Sequence, residues 1–317
     1  MRILAALRPE PDWDTVTPAG VAELRAAQAK VLRSPLGALV RGRADRGALI
    51  STRSLELPGR TVDVRVYRPR RDEPAAPLIV AFHGGGLIVG TPAQDDWLLS
   101  HLATRCGAVV VSVDYRLAPE HPVPAPMHDA YDAFVHLVDR PEQWGIDPHR
   151  VALLGSSAGA TLAALTAIHA VAQGRAVRTQ ILINPQLDWT DAVFGYPSFA
   201  ENADAPTATP ANCRAVQRLA LPPSFDPVGI SPLYHPDLAG GAPALIVSAG
   251  LDTLEDQSPA YAARLREAKV EVTSTRYAEA THAFLSMPGL VPAARPARAA
   301  ILAHLVDHLA GRARVPR

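Results

Sequence analysis

Five short apolar runs, at residues 78–82, 108–113, 151–154, 181–183 and 244–247, set the tightest limit on what this chain can become. Each is too short for a helix and continuous rather than alternating, the mark of a strand buried on both faces. Helical stretches around 94–105, 126–139 and 158–172 separate most of them, and 257–268, 270–277 and 294–310 follow as helix, strand, helix. Strand and helix alternating in this way predict a mostly parallel central sheet flanked by helices, an α/β fold. One strand reads differently. Val62, Val64 and Val66 alternate with Asp63, Arg65 and Tyr67, the period-two pattern of a half-exposed strand.

Two zones depart from the alternation. Residues 1 to about 50 are rich in Arg and Ala and helix-forming, with Thr17-Pro18 as N-cap and first helical residue ahead of a helix over 21–31. Residues 186 to about 241 are rich in Pro, Asp and Ala, with one short helix near 211–219. An irregular segment of that length inside a compact domain is a lid or binding element more often than a linker.

Composition narrows the function classes. Lys+Arg and Asp+Glu both total 31, so there is no field of one sign to attract nucleic acid or an anionic membrane. Cys106 and Cys213 are the only cysteines and have no metal-ligand spacing, so neither a disulfide framework nor a zinc site is expected. His304 and His308 lie four residues apart without a third ligand in a recognisable pattern, and no metal or cofactor is expected. Trp13, Trp97, Trp144 and Trp189 are too scattered for a base-stacking platform. The apolar run at residues 3–7 is too short for a signal peptide, and no stretch of about 18 apolar residues exists to span a bilayer. The expectation is a cytoplasmic protein without a membrane span.

Chemistry is concentrated at four points. Gly155-Ser156-Ser157-Ala158-Gly159 sits between a buried strand and an Ala/Leu-rich helix, the setting of a nucleophile elbow, although a glycine-rich turn without chemistry shares the pattern. Ser157 is the candidate nucleophile, since the neighbouring Ser156 lacks symmetric glycine flanks. His83-Gly84-Gly85-Gly86 follows the run 78–82, and successive glycines let backbone N–H groups converge on one point, as an oxyanion requires. A phosphate-binding loop is the alternative, but no Gly-Lys-Ser/Thr or Gly-x-Gly-x-x-Gly accompanies it. Asp252 follows the run 244–247, and His282 follows the strand expected at 270–277. The order Ser, Asp, His on strand-end loops is that of an α/β hydrolase, with Asp252 orienting His282 and His282 taking the Ser157 proton. Taken singly, Asp252 reads equally as a helix cap and His282 as a loop histidine; Glu255 and Asp256 are competing acids further from the strand end.

With these residues in place, the chain resembles the hormone-sensitive-lipase family of esterases. Besides His83-Gly84-Gly85-Gly86, the resemblance is carried by Asp114-Tyr115-Arg116-Leu117-Ala118-Pro119-Glu120-His121-Pro122-Val123-Pro124-Ala125, by Gly145-Ile146-Asp147-Pro148-His149-Arg150, and by Pro197-Ser198-Phe199-Ala200-Glu201-Asn202. It implies an α/β-hydrolase catalytic domain over 51–317, with a helical cap formed by residues 1–50 and 186–230. It implies the triad Ser157, Asp252 and His282, oxyanion donors at the N–H groups of Gly85, Gly86 and Ala158, support of that loop by His83 and Gly84, and cis prolines in the run 114–125. Leu87, Trp189 and Phe199 are the candidate pocket residues. The partner expected is a small, uncharged ester, with homodimerisation left open; amide, lactone or carbamate hydrolysis would use the same triad, and a non-catalytic binding protein the same fold. The chain departs from the family at Ser156 (usually Asp or Thr), Thr253 (usually Pro), Ala283 (usually Gly) and Leu87 (often aromatic).

Overall fold

The computed structural model describes residues 11–71 and 74–310. The apolar run at 3–7, with the rest of residues 1–10 of the expected cap, lies outside them. The described residues open with α1 (Pro18–Arg33) and α2 (Pro35–Arg41). Thr17 caps α1 by accepting from Gly20 N, with Pro18 in the first turn, as the sequence predicts. A hairpin of β1 (Ala48–Leu57) and β2 (Arg60–Pro69) follows, then β3 (Ala76–Phe82), α3 (Asp96–Cys106) and β4 (Val109–Val113). After α4 (Ala125–Val138) and the single turn α5 (Pro141–Trp144) come β5 (Ile146–Ser156), α6 (Ala158–Ala172) and β6 (Thr179–Ile183). The irregular segment contains α7 (Pro197–Glu201) and α8 (Pro210–Ala220), and β7 (Ala244–Leu251), α9 (Gln257–Glu267), β8 (Val272–Thr281) and α10 (Ala294–Leu309) complete the chain.

The eight strands form one sheet in the order β1-β2-β4-β3-β5-β6-β7-β8. β2 pairs antiparallel with β1 and β4, and all pairs from β4 to β8 are parallel. Alternate residues of the central strands serve opposite layers. Leu78, Val80, Phe82, Val111 and Leu153 share a core with Phe134 of α4 and Leu162 of α6. Ile79, Ala81, Val110, Leu154 and Ile181 pack instead with Leu102 of α3 and Ile301 and Leu305 of α10. Double-sided burial is why these strands read as continuous apolar runs.

The N-terminal helical zone is shorter than the sequence suggests. By Ala48 the chain is already strand, paired with β2 along all ten residues of β1. Residues 51–54 of β1 are all exposed, so β1 carries no alternation to betray it and exists through its partner. The alternation in β2 holds for Val62, Val64 and Val66, but Tyr67 is buried, its hydroxyl donating to Asp96 at 2.8 Å. Ala118-Pro119 and Val123-Pro124 are cis. Among the described residues, no helix is long and apolar enough to cross a membrane.

Candidate active site

Five parallel strands each end one residue before a polar side chain: β3 before His83, β5 before Ser157, β6 before Asn184, β7 before Asp252 and β8 before His282. Ligand sites of open α/β sheets lie at this carboxyl edge. Ser157 occupies the turn between β5 and α6 at φ 55° and ψ −123°, a conformation that a residue with a Cβ adopts only when its surroundings impose it. Its N–H donates to Ile183 O at 2.8 Å, and its carbonyl accepts from Ala160 N at 2.9 Å and Gln186 N at 3.2 Å. Gly159 is needed beside it because a Cβ there would stand 2.2 Å from Phe82 O.

The turn aims Ser157 Oγ at His282 Nε2, 2.8 Å away, and His282 Nδ1 lies 2.7 Å from Asp252 Oδ2. All three residues are buried. With Nδ1–H donating to the carboxylate, Nε2 is left to accept the serine hydroxyl. Asp252 Oδ1 accepts from Leu254 N at 3.0 Å, and Oδ2 accepts also from Asn184 Nδ2 at 3.2 Å. The competing acids are committed elsewhere, Glu255 to Arg276 and Asp256 to Ser198 N. Ser156 lines the same cavity, but the bond to His282 belongs to Ser157.

The glycine loop lies directly against this turn: a Cβ on Gly84 would come 3.2 Å from Ser157 Cβ. Gly85 has φ 135°, and a Cβ there would fall 2.1 Å from Val89 O, so no other residue fits. Among the described residues, no backbone acceptor takes the N–H of Gly85, Gly86 or Ala158. His83 is fully buried; its Nδ1 donates to Gly84 O at 3.0 Å and its ring stacks on Tyr115 at 4.3 Å. Tyr115 Oη donates to His83 O at 2.7 Å. Burial pushes the His83 imidazole down to about 4, so it is neutral at pH 7. The ring is placed to brace the loop, away from the serine.

Ser157 and His282 open into a cavity of about 250 Å³ whose apolar wall includes Leu24 and Val31 of α1, Ile88, Val216 of α8, Leu254 and Met287. The three pocket residues expected from sequence are not on that wall. Leu87 is fully buried in the main core, and Ile88 and Val89 face the cavity in its place. Trp189 is fully buried, its Nε1 donating to Thr161 Oγ1 at 2.9 Å. Phe199 stacks edge-on with Phe194 at 5.0 Å, behind Cys213 and Leu254, which do line the cavity. Size and hydrophobicity do not say which way a side chain points. Sequence reasoning also missed Asn184 and Thr207, whose Oγ1 donates to His282 O at 3.1 Å. A polar residue closing an apolar strand was the available signal for Asn184. His304 and His308 stack on each other at 4.0 Å, with His304 Nε2 2.7 Å from Thr179 Oγ1. Among the described residues, no group of three or more His, Cys, Asp or Glu could hold a metal ion.

Residues 79–286 match the profile of a family described as alpha/beta hydrolase fold. The chain is 35% identical over 294 residues to an ethyl acetate hydrolase of Pseudomonas putida, covering 90% of this chain and 91% of that one. The chain belongs to the hormone-sensitive-lipase family of α/β hydrolases. This family member superposes on a thermostable esterase from Pseudomonas putida with a TM-score of 0.86 at 28% identity, covering 98% of this chain and 97% of that one. A hyperthermophilic esterase from the archaeon Pyrobaculum calidifontis gives 0.82 at 30% identity, covering 96% and 97%. At two positions where the hydrolase departs from its family pattern, the structure shows the local setting. Ala283 sits at φ 60°, the left-handed conformation that suits the usual glycine. Thr253 is fully buried and donates to Ala208 O.

Proposed function

We propose that this carboxylic ester hydrolase cleaves small to medium acyl esters through an acyl-enzyme formed on Ser157. The observation that carries the reading is the continuous line from Ser157 Oγ through His282 to Asp252, ending at the cavity. Residues 11–47 and 186–230 act as the cap over that cavity, and α1 and α8 supply part of its wall.

As the substrate carbonyl reaches Ser157, His282 Nε2 takes the hydroxyl proton while Oγ bonds to the carbonyl carbon. Asp252 holds Nδ1–H and stabilises the imidazolium that forms. Negative charge moves to the carbonyl oxygen, where the N–H groups of Gly85, Gly86 and Ala158 receive it, and the α6 N-terminus adds a favourable field. His282 then returns the proton to the leaving alcohol. Water then gives a proton to the same nitrogen as it attacks the acyl carbon, the bond to Oγ breaks, and His282 returns that proton to Ser157 as the acid leaves.

An uncharged ester suits the cavity wall, which has no acidic side chain among the described residues and one arginine. That arginine, Arg41, is bonded to Leu32 O and lies 3.8 Å from Asp96. The ethyl acetate hydrolase among the relatives supports a short acyl group. The test is pre-steady-state mixing with a p-nitrophenyl ester. A burst equal to the enzyme concentration, absent in Ser157→Ala, is expected, with kcat lower by roughly 10⁴-fold or more in the variant. Near-native turnover by Ser157→Ala would overturn the reading.

A further inference from the structure

We propose that the Thr253 hydroxyl holds the cavity wall at Ala208–Cys213 in register with the Ser157–His282–Asp252 line, and thereby sets how tightly the enzyme grips its ester. The inference rests on the function proposed above and adds a positioning residue to it. Thr253 directly follows Asp252 and is fully buried. Its Oγ1 donates to Ala208 O at 2.5 Å, and Cys213 Sγ lies 3.9 Å from the same hydroxyl. Ala208 and Cys213 both line the cavity, with Thr207 and Val216 beside them.

Ala208 has φ 54°, a left-handed conformation that a residue with a Cβ holds only when its surroundings fix it. Its carbonyl is the acceptor that Thr253 engages, so the strained point of the wall is pinned from the acid turn. Other bonds join the same two parts: Asn202 Nδ2 donates to Asp252 O at 3.2 Å, Ser198 Oγ to Thr253 O at 2.8 Å, and Thr207 Oγ1 to His282 O at 3.1 Å. In each of these the segment 198–207 reaches toward the site. Two side chains of the acid turn reach back: Asp256 accepts from Ser198 N at 2.8 Å, and Thr253 donates at the wall itself. Proline, the residue the family usually carries here, has no hydroxyl to do this. Removing the hydroxyl leaves the Ala208 carbonyl without that donor and releases the wall, while the bonds from Ser157 to His282 and from His282 to Asp252 remain.

The experiment compares wild type, Thr253→Val, Thr253→Ser and Ser157→Ala as full-length proteins on p-nitrophenyl acetate and p-nitrophenyl hexanoate. Thr253→Val keeps the shape of the side chain and should raise KM for the hexanoate about tenfold, the factor that a lost hydrogen bond of about 1.4 kcal/mol supplies. Its kcat should stay within about threefold and its kcat–pH profile should match wild type, because proton transfer is untouched. Thr253→Ser restores the hydroxyl and should restore KM. An unchanged KM in Thr253→Val overturns the proposal. So does a fall in kcat at constant KM with a displaced pH profile, which would place the action of Thr253 on the Asp252–His282 pair, and so does a failure of serine to rescue. If Thr253→Val does not fold, Thr253→Ala is read by the same KM. Full activity in Ser157→Ala would instead remove the underlying mechanism, whatever Thr253 does.

Discussion

Arg25 Nε donates to the Ile88 carbonyl at 2.7 Å, so α1 is bonded to the loop that carries Gly85 and Gly86. The same guanidinium donates to Ala118 O at 2.5 Å and to both oxygens of Glu120, at 3.0 and 2.9 Å. Three acceptors from two loops are served by one planar fork, which a lysine ammonium cannot copy. Arg25→Lys should therefore raise KM several-fold, consistent with about 1–2 kcal/mol of lost anchoring. Glu120→Gln should do far less, because its carboxylate is half-exposed and such pairs contribute about 1 kcal/mol or less. Ester kinetics on the three proteins decide it; equal KM values for Arg25→Lys and wild type would rule out the anchor.

Asn184 shares Asp252 Oδ2 with His282, fixing the carboxylate from the side opposite Leu254 N. Asn184→Ala leaves the carboxylate free to rotate away from Nδ1. The loss should fall on kcat, about tenfold, with KM little changed, because Asn184 is not among the residues that line the cavity. Asp252→Asn should cost far more, roughly 10⁴-fold, since an amide favours the wrong imidazole tautomer. A purely KM-based effect in Asn184→Ala would contradict the assigned role.

Part of this arrangement is legible in the sequence itself. The turn at 155–159 and the loop at 83–86 announce themselves because close backbone approach leaves only glycine able to fit, and glycine spacing is visible in a sequence. The central strands are legible because burial on both faces removes polar residues from them. β1 is not, because its middle is exposed and only pairing with β2 makes it a strand. Leu87, Trp189 and Phe199 failed for a different reason: their neighbours Ile88, Cys213 and Leu254 face the cavity, and direction is decided by backbone geometry that composition does not encode. The bonds from Thr207 and Thr253 join residues tens of positions apart and could not be read from either segment alone.

His83 gives stability a pH dependence on the acid side. Burial lowers its pKa from 6.5 to about 4, so between those values the unfolded chain binds a proton that the folded protein refuses. Stability is fully present above about 6.5 and declines as pH falls toward 4, by about 3 kcal/mol from this group. His83→Phe keeps an aromatic ring against Tyr115 and does not titrate. Urea unfolding at pH 7 and pH 4 should show wild type losing about 3 kcal/mol more than the variant. Parallel losses would mean that His83 is protonated in the folded protein.

Asp95 works in the opposite direction. It ends the connection from β3 to α3, buried beside Asp96, and its carboxyl accepts from Ser286 Oγ at 2.8 Å. Burial lifts its pKa from 3.8 to about 7, opposed in part by the Ser286 bond and aided to a lesser degree by the Asp96 charge. Asp96 itself is held by Arg65, at 2.7 and 2.9 Å, and by Tyr67. A folded pKa above the unfolded one means that the folded protein keeps a proton the unfolded chain has already released. The resulting stability is complete below about 3.8, falls as pH rises, and is gone once pH passes about 7, a change of about 4 kcal/mol. Asparagine at 95 never ionises and its carbonyl oxygen still accepts from Ser286. Asp95→Asn should therefore match wild type near pH 4 and exceed it increasingly up to pH 8, where its urea midpoint should be clearly higher. A gap between the two proteins that stays constant across this range would show that Asp95 is ionised in the fold at every pH tested.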